Sequence, residues 1–273
     1  GVGGHDHIVG AMANGFQRAG TLVDSMGTAE ALILASPTPV RDLAVIRRGY
    51  LQAPIIPHRM HWVGGSVFSS GAAVEWVRAL LGGVDTATLI AEASLVPPGS
   101  DGVVFVPHVG NGVSPPDPDL DARGHFLGLT VNTNRAALYR SVLEGIVFQS
   151  GLILDDMTGF AGVAPPEGPP RITGGGSRNP LLVQMKADIF ARPVVVVDES
   201  ESTALGAALL GGVAAGLFAD MEAAVAGLDR RDRLVEPDPV AVERYAALRA
   251  AVFDRAGRDL KPIEAGLARW RGE

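Results

Sequence analysis

A chain of 273 residues, 47% of them hydrophobic, can bury a substantial core as one large domain or a domain with a small subdomain, which argues against disorder. Its net charge of -7 supplies no general basic field for nucleic acid or for an anionic membrane surface, so any bound phosphate must be held locally, with backbone amides the natural candidates. The absence of cysteine excludes a disulfide framework, a thiolate nucleophile and a thiolate metal site, and fits a reducing, cytoplasmic setting.

The chain opens on Gly1-Val2-Gly3-Gly4 without Met or signal-peptide features and reads as starting in mid-protein. No uninterrupted apolar run reaches the roughly 18 residues of a membrane span. Residues 7–18 have helical spacing. Residues 21–26 and 29–35 are short apolar runs on either side of Gly27-Thr28, the pattern of two antiparallel strands joined by a tight turn. The Pro-rich stretch 36–62 predicts edge strands and loops. A helix is expected over 67–81, with Val74, Val77 and Leu81 on one face, and a second over 86–93. Pro97-Pro98-Gly99-Ser100-Asp101-Gly102 breaks the chain before a buried strand at 103–106, and the Pro-rich segment 107–118 is a loop. Asn134 is placed to cap the longest helix, 135–157, whose Leu138, Val142, Ile146 and Ile153 mark a core-facing stripe. After a linker loop at 161–170 come a strand at 171–173, a glycine turn, a helix at 179–190, a strand at 194–197 and a helix at 203–216. This β-α-β-α alternation implies parallel pairing with a right-handed crossover, hence an α/β fold. The tail from Asp220 reads as helical, with a turn at Pro237-Asp238-Pro239.

Four segments could carry chemistry. In Gly3-Gly4-His5-Asp6-His7 the carboxylate of Asp6 either caps the following helix or acts as a general base on a hydroxyl. His5 and His7, two positions apart, should point to different sides, which disfavours a metal site. In Asp24-Ser25-Met26-Gly27-Thr28-Ala29-Glu30, Gly27 and Thr28 are explained by turn chemistry or by a backbone approach to phosphate. Arg171-Ile172-Thr173-Gly174-Gly175-Gly176-Ser177-Arg178-Asn179-Pro180 places three glycines between strand and helix, removing Cβ atoms where a ligand would lie. It is neither a Walker A loop nor Gly-x-Gly-x-x-Gly. Ala204, Gly206, Ala207 and Ala208 are small residues suited to close packing of their helix against the sheet.

In order and spacing, residues 3–216 resemble the FGGY carbohydrate kinases of the actin-like, ribonuclease-H-like ATPase superfamily. Gly4-His5-Asp6 is similar to that family's Gly-x-Asp segment, which implies that Asp6 is the base on the accepting hydroxyl. Ser25-Met26-Gly27-Thr28 resembles its second phosphate motif, Gly71-Ala72-Ala73-Val74-Glu75-Trp76 the helix start beside the nucleotide, and Gly174-Gly175-Gly176-Ser177-Arg178-Asn179 the adenosine motif. The implied nucleotide-binding residues are Gly27, Thr28, Gly71, Glu75, Gly175, Gly176 and Asn179. Arg123-Gly124-His125-Phe126-Leu127-Gly128-Leu129 resembles the family's Arg-Gly-x-x-x-Gly-Leu segment, and Leu143-Glu144-Gly145-Ile146 falls in the long helix that follows it. The loop Gly110-Asn111-Gly112-Val113-Ser114-Pro115 departs from the family's Gly-Glu-Arg before Pro.

The resemblance implies a mixed sheet flanked by helices, with residues 1–273 as the C-terminal, nucleotide-binding half of a kinase and the N-terminal sugar-binding half absent from this chain. It implies ATP and Mg²⁺ as cofactors, a sugar or polyol and that N-terminal half as partners, no nucleic acid or membrane partner, and leaves a homodimer open. The chain alone is expected to bind adenine nucleotide weakly and to phosphorylate nothing. Two rival readings are an actin-like nucleotide-binding module with an assembly or regulatory role, and an NAD-dependent dehydrogenase suggested by Gly174-Gly175-Gly176 without its fingerprint spacing.

Overall fold

Leu22 to Ser36 forms the centre of the sheet because it is apolar or small at nearly every position, and a strand covered on both faces cannot alternate polar with apolar. A computed structural model of the chain describes residues 4–55, 60–110, 112–113, 115–160, 162–163, 165–199 and 201–272. The expectations placed on Gly3, Asn111 and Ser114 lie outside the described residues. Helix α1 (Asp6–Met12) leads to strands β1 (Leu22–Met26) and β2 (Glu30–Ser36), followed by the short α2 (Ala44–Arg47), β3 (Leu51–Ile55) and β4 (Met60–Val67). Next come α3 (Gly71–Leu80), α4 (Thr86–Ser94), a two-stranded ribbon of β5 (Val104–Val106) and β6 (His125–Leu127), and the long α5 (Arg135–Thr158). Then follow β7 (Arg171–Thr173), α6 (Pro180–Phe190), β8 (Val194–Val196), α7 (Ser202–Ala214), α8 (Met221–Ala226), β9 (Arg233–Val235), α9 (Pro239–Leu248) and α10 (Asp254–Arg271).

The main sheet has the order β3-β4-β2-β1-β7-β8-β9, with β1, β7 and β8 parallel and the other neighbours antiparallel. Side chains alternate strictly along the central strands. Leu22, Met26, Leu32 and Leu34 join a core with residues of α3 to α6 and α9, while Val23, Ala31, Ile33 and Ala35 join a second core with α1, α7 and α8. The sheet is therefore mixed and covered by helices on both faces, as expected.

Several expectations are corrected by tertiary context. The first helix ends at Met12 rather than at 18, with Gly15 and Gly20 in left-handed conformations beyond it. Val67 pairs with Glu30 at the end of β4, so the helix expected from 67 begins at Gly71. Of the two strands in this stretch, β4 lies inside the sheet and only β3, which carries Pro54, is an edge strand. The long helix is buried on nearly every side rather than along one stripe, and Leu138 is only partly covered. By length and composition alone it would pass as a membrane span, yet 89% of its apolar window lies inside the fold. The three-residue strands β6 and β9 were not foreseen.

Of Ala204, Gly206, Ala207 and Ala208 in α7, only Gly206 is buried, and it packs on α1 rather than on the sheet; the three alanines are exposed, so the close packing expected of them is not found. A Cβ at Gly206 would come within 2.0 Å of the Val9 carbonyl oxygen, and one at Gly10 within 3.2 Å of Thr203 Oγ1. Gly206→Ala is expected to push α1 off its seat and to lower stability by about 1–3 kcal/mol, the usual cost of overpacking, read as a fall in the urea midpoint.

Candidate functional site

Parallel pairing of β1 with β7 brings the turn after β1 and the glycine turn after β7 to the same end of the sheet, where ligands of open α/β sheets bind. The first turn is pinned by backbone bonds. Gly27 N–H donates to Ala29 O (2.9 Å), Gly71 N–H to Gly27 O (3.1 Å) and Ala72 N–H to Thr28 O (3.0 Å), so the start of α3 is fastened to it. Gly71 is required by this approach, since a Cβ there would lie 2.6 Å from Gly27 O.

Between these segments is a cavity of about 500 Å³, within the range of small-molecule sites. Gly27, Thr28, Gly71, Glu75, Gly175, Gly176 and Asn179 all line it. The seven residues come from three stretches widely separated in sequence, and the fold gathers them. Ser70, Thr86, Tyr139, Arg178 and Leu182 complete much of the wall and were not singled out from sequence. Tyr139 is fully buried with an unpartnered hydroxyl, which no sequence pattern signals.

The glycine turn divides its labour. Gly174 is held at φ +84° with Met26 O 2.6 Å from where a Cβ would sit, and a Cβ on Gly176 would come within 2.8 Å of the Met26 side chain. A Cβ at Gly175 would meet only Arg178 Nη2, at 3.5 Å, so Gly174 serves the packing of this turn on β1, while Gly176 both packs on Met26 and, with Gly175, forms cavity wall. Asn179 caps α6, its Oδ1 accepting from Leu181 N–H (3.1 Å) and Leu182 N–H (3.2 Å), with Pro180 at the first helical position. Its amide nitrogen is the group it can turn toward the cavity. Glu75 is held by Arg78, with Nη2 2.8 Å from Oε2.

Asp6 does not line this cavity. It occupies the first turn of α1 at the same end of the sheet, where His7 Nδ1 lies 3.1 Å from Ser25 Oγ on β1. His5 takes the N-cap position, without a side-chain cap bond, while one Asp6 oxygen accepts from His7 N–H (2.8 Å) and lies 2.9 Å from His5 Nδ1. The carboxylate remains 67% exposed, so its local bonding leaves it open to a reacting group. The rings of His5 and His7 stack at 5.4 Å, contrary to the expectation that they point apart, because the chain turns at the helix start.

Beneath the cavity floor is a charge cluster that the sequence reading missed. Lys186, in the middle of α6, has no solvent exposure and donates to Asp24 Oδ2 (2.7 Å), Glu30 Oε1 and Ser150 Oγ (3.1 Å). The other Glu30 oxygen accepts from Ser70 Oγ (3.1 Å). Asp24 is equally buried and its Oδ1 has no partner. Burial, then the neighbouring Glu30 charge, pushes its carboxyl up to about 7 against the opposing pull of Lys186. Burial alone would discharge Lys186, but Asp24 and Glu30 hold it protonated. Acids at two even-numbered strand positions and a lysine in an apolar helix were the available signal.

The chain matches the C-terminal domain of the FGGY family of carbohydrate kinases over residues 22–215. A glycerol kinase from Dechloromonas aromatica is 43% identical over 185 residues, covering 67% of this chain and 36% of that protein. One from Deinococcus radiodurans is 36% identical over 191 residues, covering 70% of this chain and 37% of that protein. Among solved structures, a xylulose kinase from Rhodospirillum rubrum superposes with a TM-score of 0.80 at 27% identity, over 95% of this chain and 51% of that one. A Plasmodium falciparum glycerol kinase with ADP shares the fold, with a TM-score of 0.79 at 23% identity over 92% of this chain and 50% of its own. The chain thus spans little more than a third of the curated relatives and about half of the solved ones.

Proposed function

We propose that this chain, which belongs to the FGGY family of carbohydrate kinases, supplies the ATP-binding half and the catalytic base of an enzyme that phosphorylates a sugar or polyol hydroxyl. The observation that carries this reading is the gathering of Gly27, Thr28, Gly71, Glu75, Gly175, Gly176 and Asn179 around one cavity. In it the turn at Gly27 and Thr28 meets the nucleotide phosphates, Gly71 and Glu75 border the nucleotide, and Gly175, Gly176 and Asn179 meet the adenosine. Asp6, outside the cavity but at its end of the sheet, takes the proton from the accepting hydroxyl as the phosphoryl group arrives.

Substrate-binding groups and closure against water would come from a further domain, of the kind the remaining length of the relatives can hold. A cytoplasmic setting is part of the same proposal and is in keeping with the absence of cysteine. Mg²⁺ belongs to the family's chemistry, where it offsets charge on the transferring phosphoryl group. Among the described lining residues the one carboxylate is Glu75, and Arg78 already engages it, so this wall does not fit a Mg²⁺ site of its own.

Calorimetric titration of the chain with ATP, ADP and NAD tests the reading. Binding of ATP and ADP, each lost on Gly175→Val, is expected, with no heat from NAD. Preference for NAD, or no response to any of the three, would sink it.

A further inference from the structure

Serine before a helix ordinarily turns its hydroxyl to the helix's own N–H groups, yet Ser70, at the N-cap of α3, makes no side-chain cap bond. Its hydroxyl donates instead to Glu30 Oε2, 3.1 Å away in the core. Glu30 Oε1 in turn accepts from Lys186 and Ser150, so α6, α5, β2 and the first turn of α3 are joined through one carboxylate. Glu30 also stands directly opposite Met26 in the β1–β2 ladder, and Gly27 to Ala29 close the turn between them. The amides of Gly71 and Ala72, the residues immediately after Ser70, hold the carbonyls of Gly27 and Thr28.

A sealed ion cluster is an expensive way to fill space, since apolar residues of similar volume pack there at no desolvation cost. Apart from the Lys186–Ser150 bond between two helices, the side-chain to side-chain bonds of this one end on Asp24 of β1 or Glu30 of β2, the strands that frame a single turn, and one of them comes from the helix start at Ser70. We propose that Lys186, Glu30 and Ser70 are positioning residues that fix the Gly27–Thr28 turn for a nucleotide polyphosphate, an inference that rests on the nucleotide reading of the cavity. Lys186 and Glu30 are sealed in the core and act through Ser70 and the backbone. The adenosine side of the cavity hangs on the separate glycine turn and Asn179, so the two ends of a nucleotide should respond differently when the network is cut.

The test is Glu30→Gln, which keeps shape but weakens the bonds to Lys186 and Ser70, with Ser70→Ala as the milder variant should the first fail to fold. Affinity for ATP and ADP is expected to fall roughly tenfold, the scale of a lost hydrogen bond to a charged group, while adenosine affinity stays within about twofold. Hydrogen exchange of the Gly71 and Ala72 amides should quicken in the same variants, with the α5 amides unchanged. Equal losses for adenosine and ATP would mark a merely structural role and overturn the proposal, as would unchanged exchange at Gly71 and Ala72. The exchange measurement needs no nucleotide. If the unaltered chain bound none, the reading of the cavity would fail while the amides still decided whether the network holds the turn.

Discussion

Lys186→Met is expected to remove about 3–5 kcal/mol of stability, a large part of the roughly 5–15 kcal/mol that holds an ordinary domain together. Methionine fills the volume of the lysine stem but leaves Asp24 and Glu30 facing each other at zero exposure, with no cation between them. The cost arises from two buried acids left without their cation, one of which must take up a proton, rather than from lost packing, so adding Asp24→Asn and Glu30→Gln should restore much of the urea midpoint. The pH dependence gives an independent check. Asp24 is raised from 3.8 to about 7 in the folded state, so its contribution is fully present below about pH 4 and is lost as pH rises through 7. The charged groups facing it are Lys186 from α6 and Glu30 from β2; α5 contributes Ser150, and the paired strand positions are Leu32 and Ile172. Stability should therefore decline between about pH 4 and 7 in the unaltered protein and less steeply in Asp24→Asn. Parallel curves for the two would show that Asp24 does not titrate in this window.

The charge cluster also marks where sequence reading stops. The strand Arg171–Thr173 and the helix after it were legible nearly to the residue because a strand, a glycine turn, an Asn cap and Pro at the first helical position are all local signals. Asn134 announced α5 in the same way, its side chain accepting from Ala137 N–H at 2.9 Å. β6 and β9 had no such signal, since three residues are too few for a period and their pairing partners decide their state. Lys186 was passed over because a lysine in a helix is usually solvated, and only the fold shows that its turn faces the two acids of β1 and β2. The glycine turn at Gly175 and Gly176 was legible as a ligand site from its lost Cβ atoms, whereas the other cavity residues were gathered by resemblance: Gly27 and Gly71 each have an adequate local explanation, and only their convergence with that turn distinguishes them. Tyr139 and Ser70 were invisible for the converse reason, because their importance lies wholly in what surrounds them.

Asp6→Asn should separate chemistry from binding most sharply. Asparagine keeps the size of the side chain and an oxygen for the His7 N–H, so the start of α1 and its approach to Ser25 should persist. What it loses is the capacity to take a proton at neutral pH. In a protein that also carries the substrate-binding half, turnover is expected to fall by about 10²- to 10⁴-fold, the range of a lost general base. Because Asp6 stands outside the cavity proposed for the nucleotide, ATP affinity measured on this chain should change by less than about twofold. Loss of turnover together with ATP affinity would point to a displaced α1, which Gly206→Ala should reproduce by crowding Val9 from the other side. Full turnover in Asp6→Asn would reduce Asp6 to a helix-start residue and leave the base to be sought elsewhere. The discriminating outcome is a fall in turnover with ATP affinity and urea midpoint both held, since a helix-start role predicts movement in stability first.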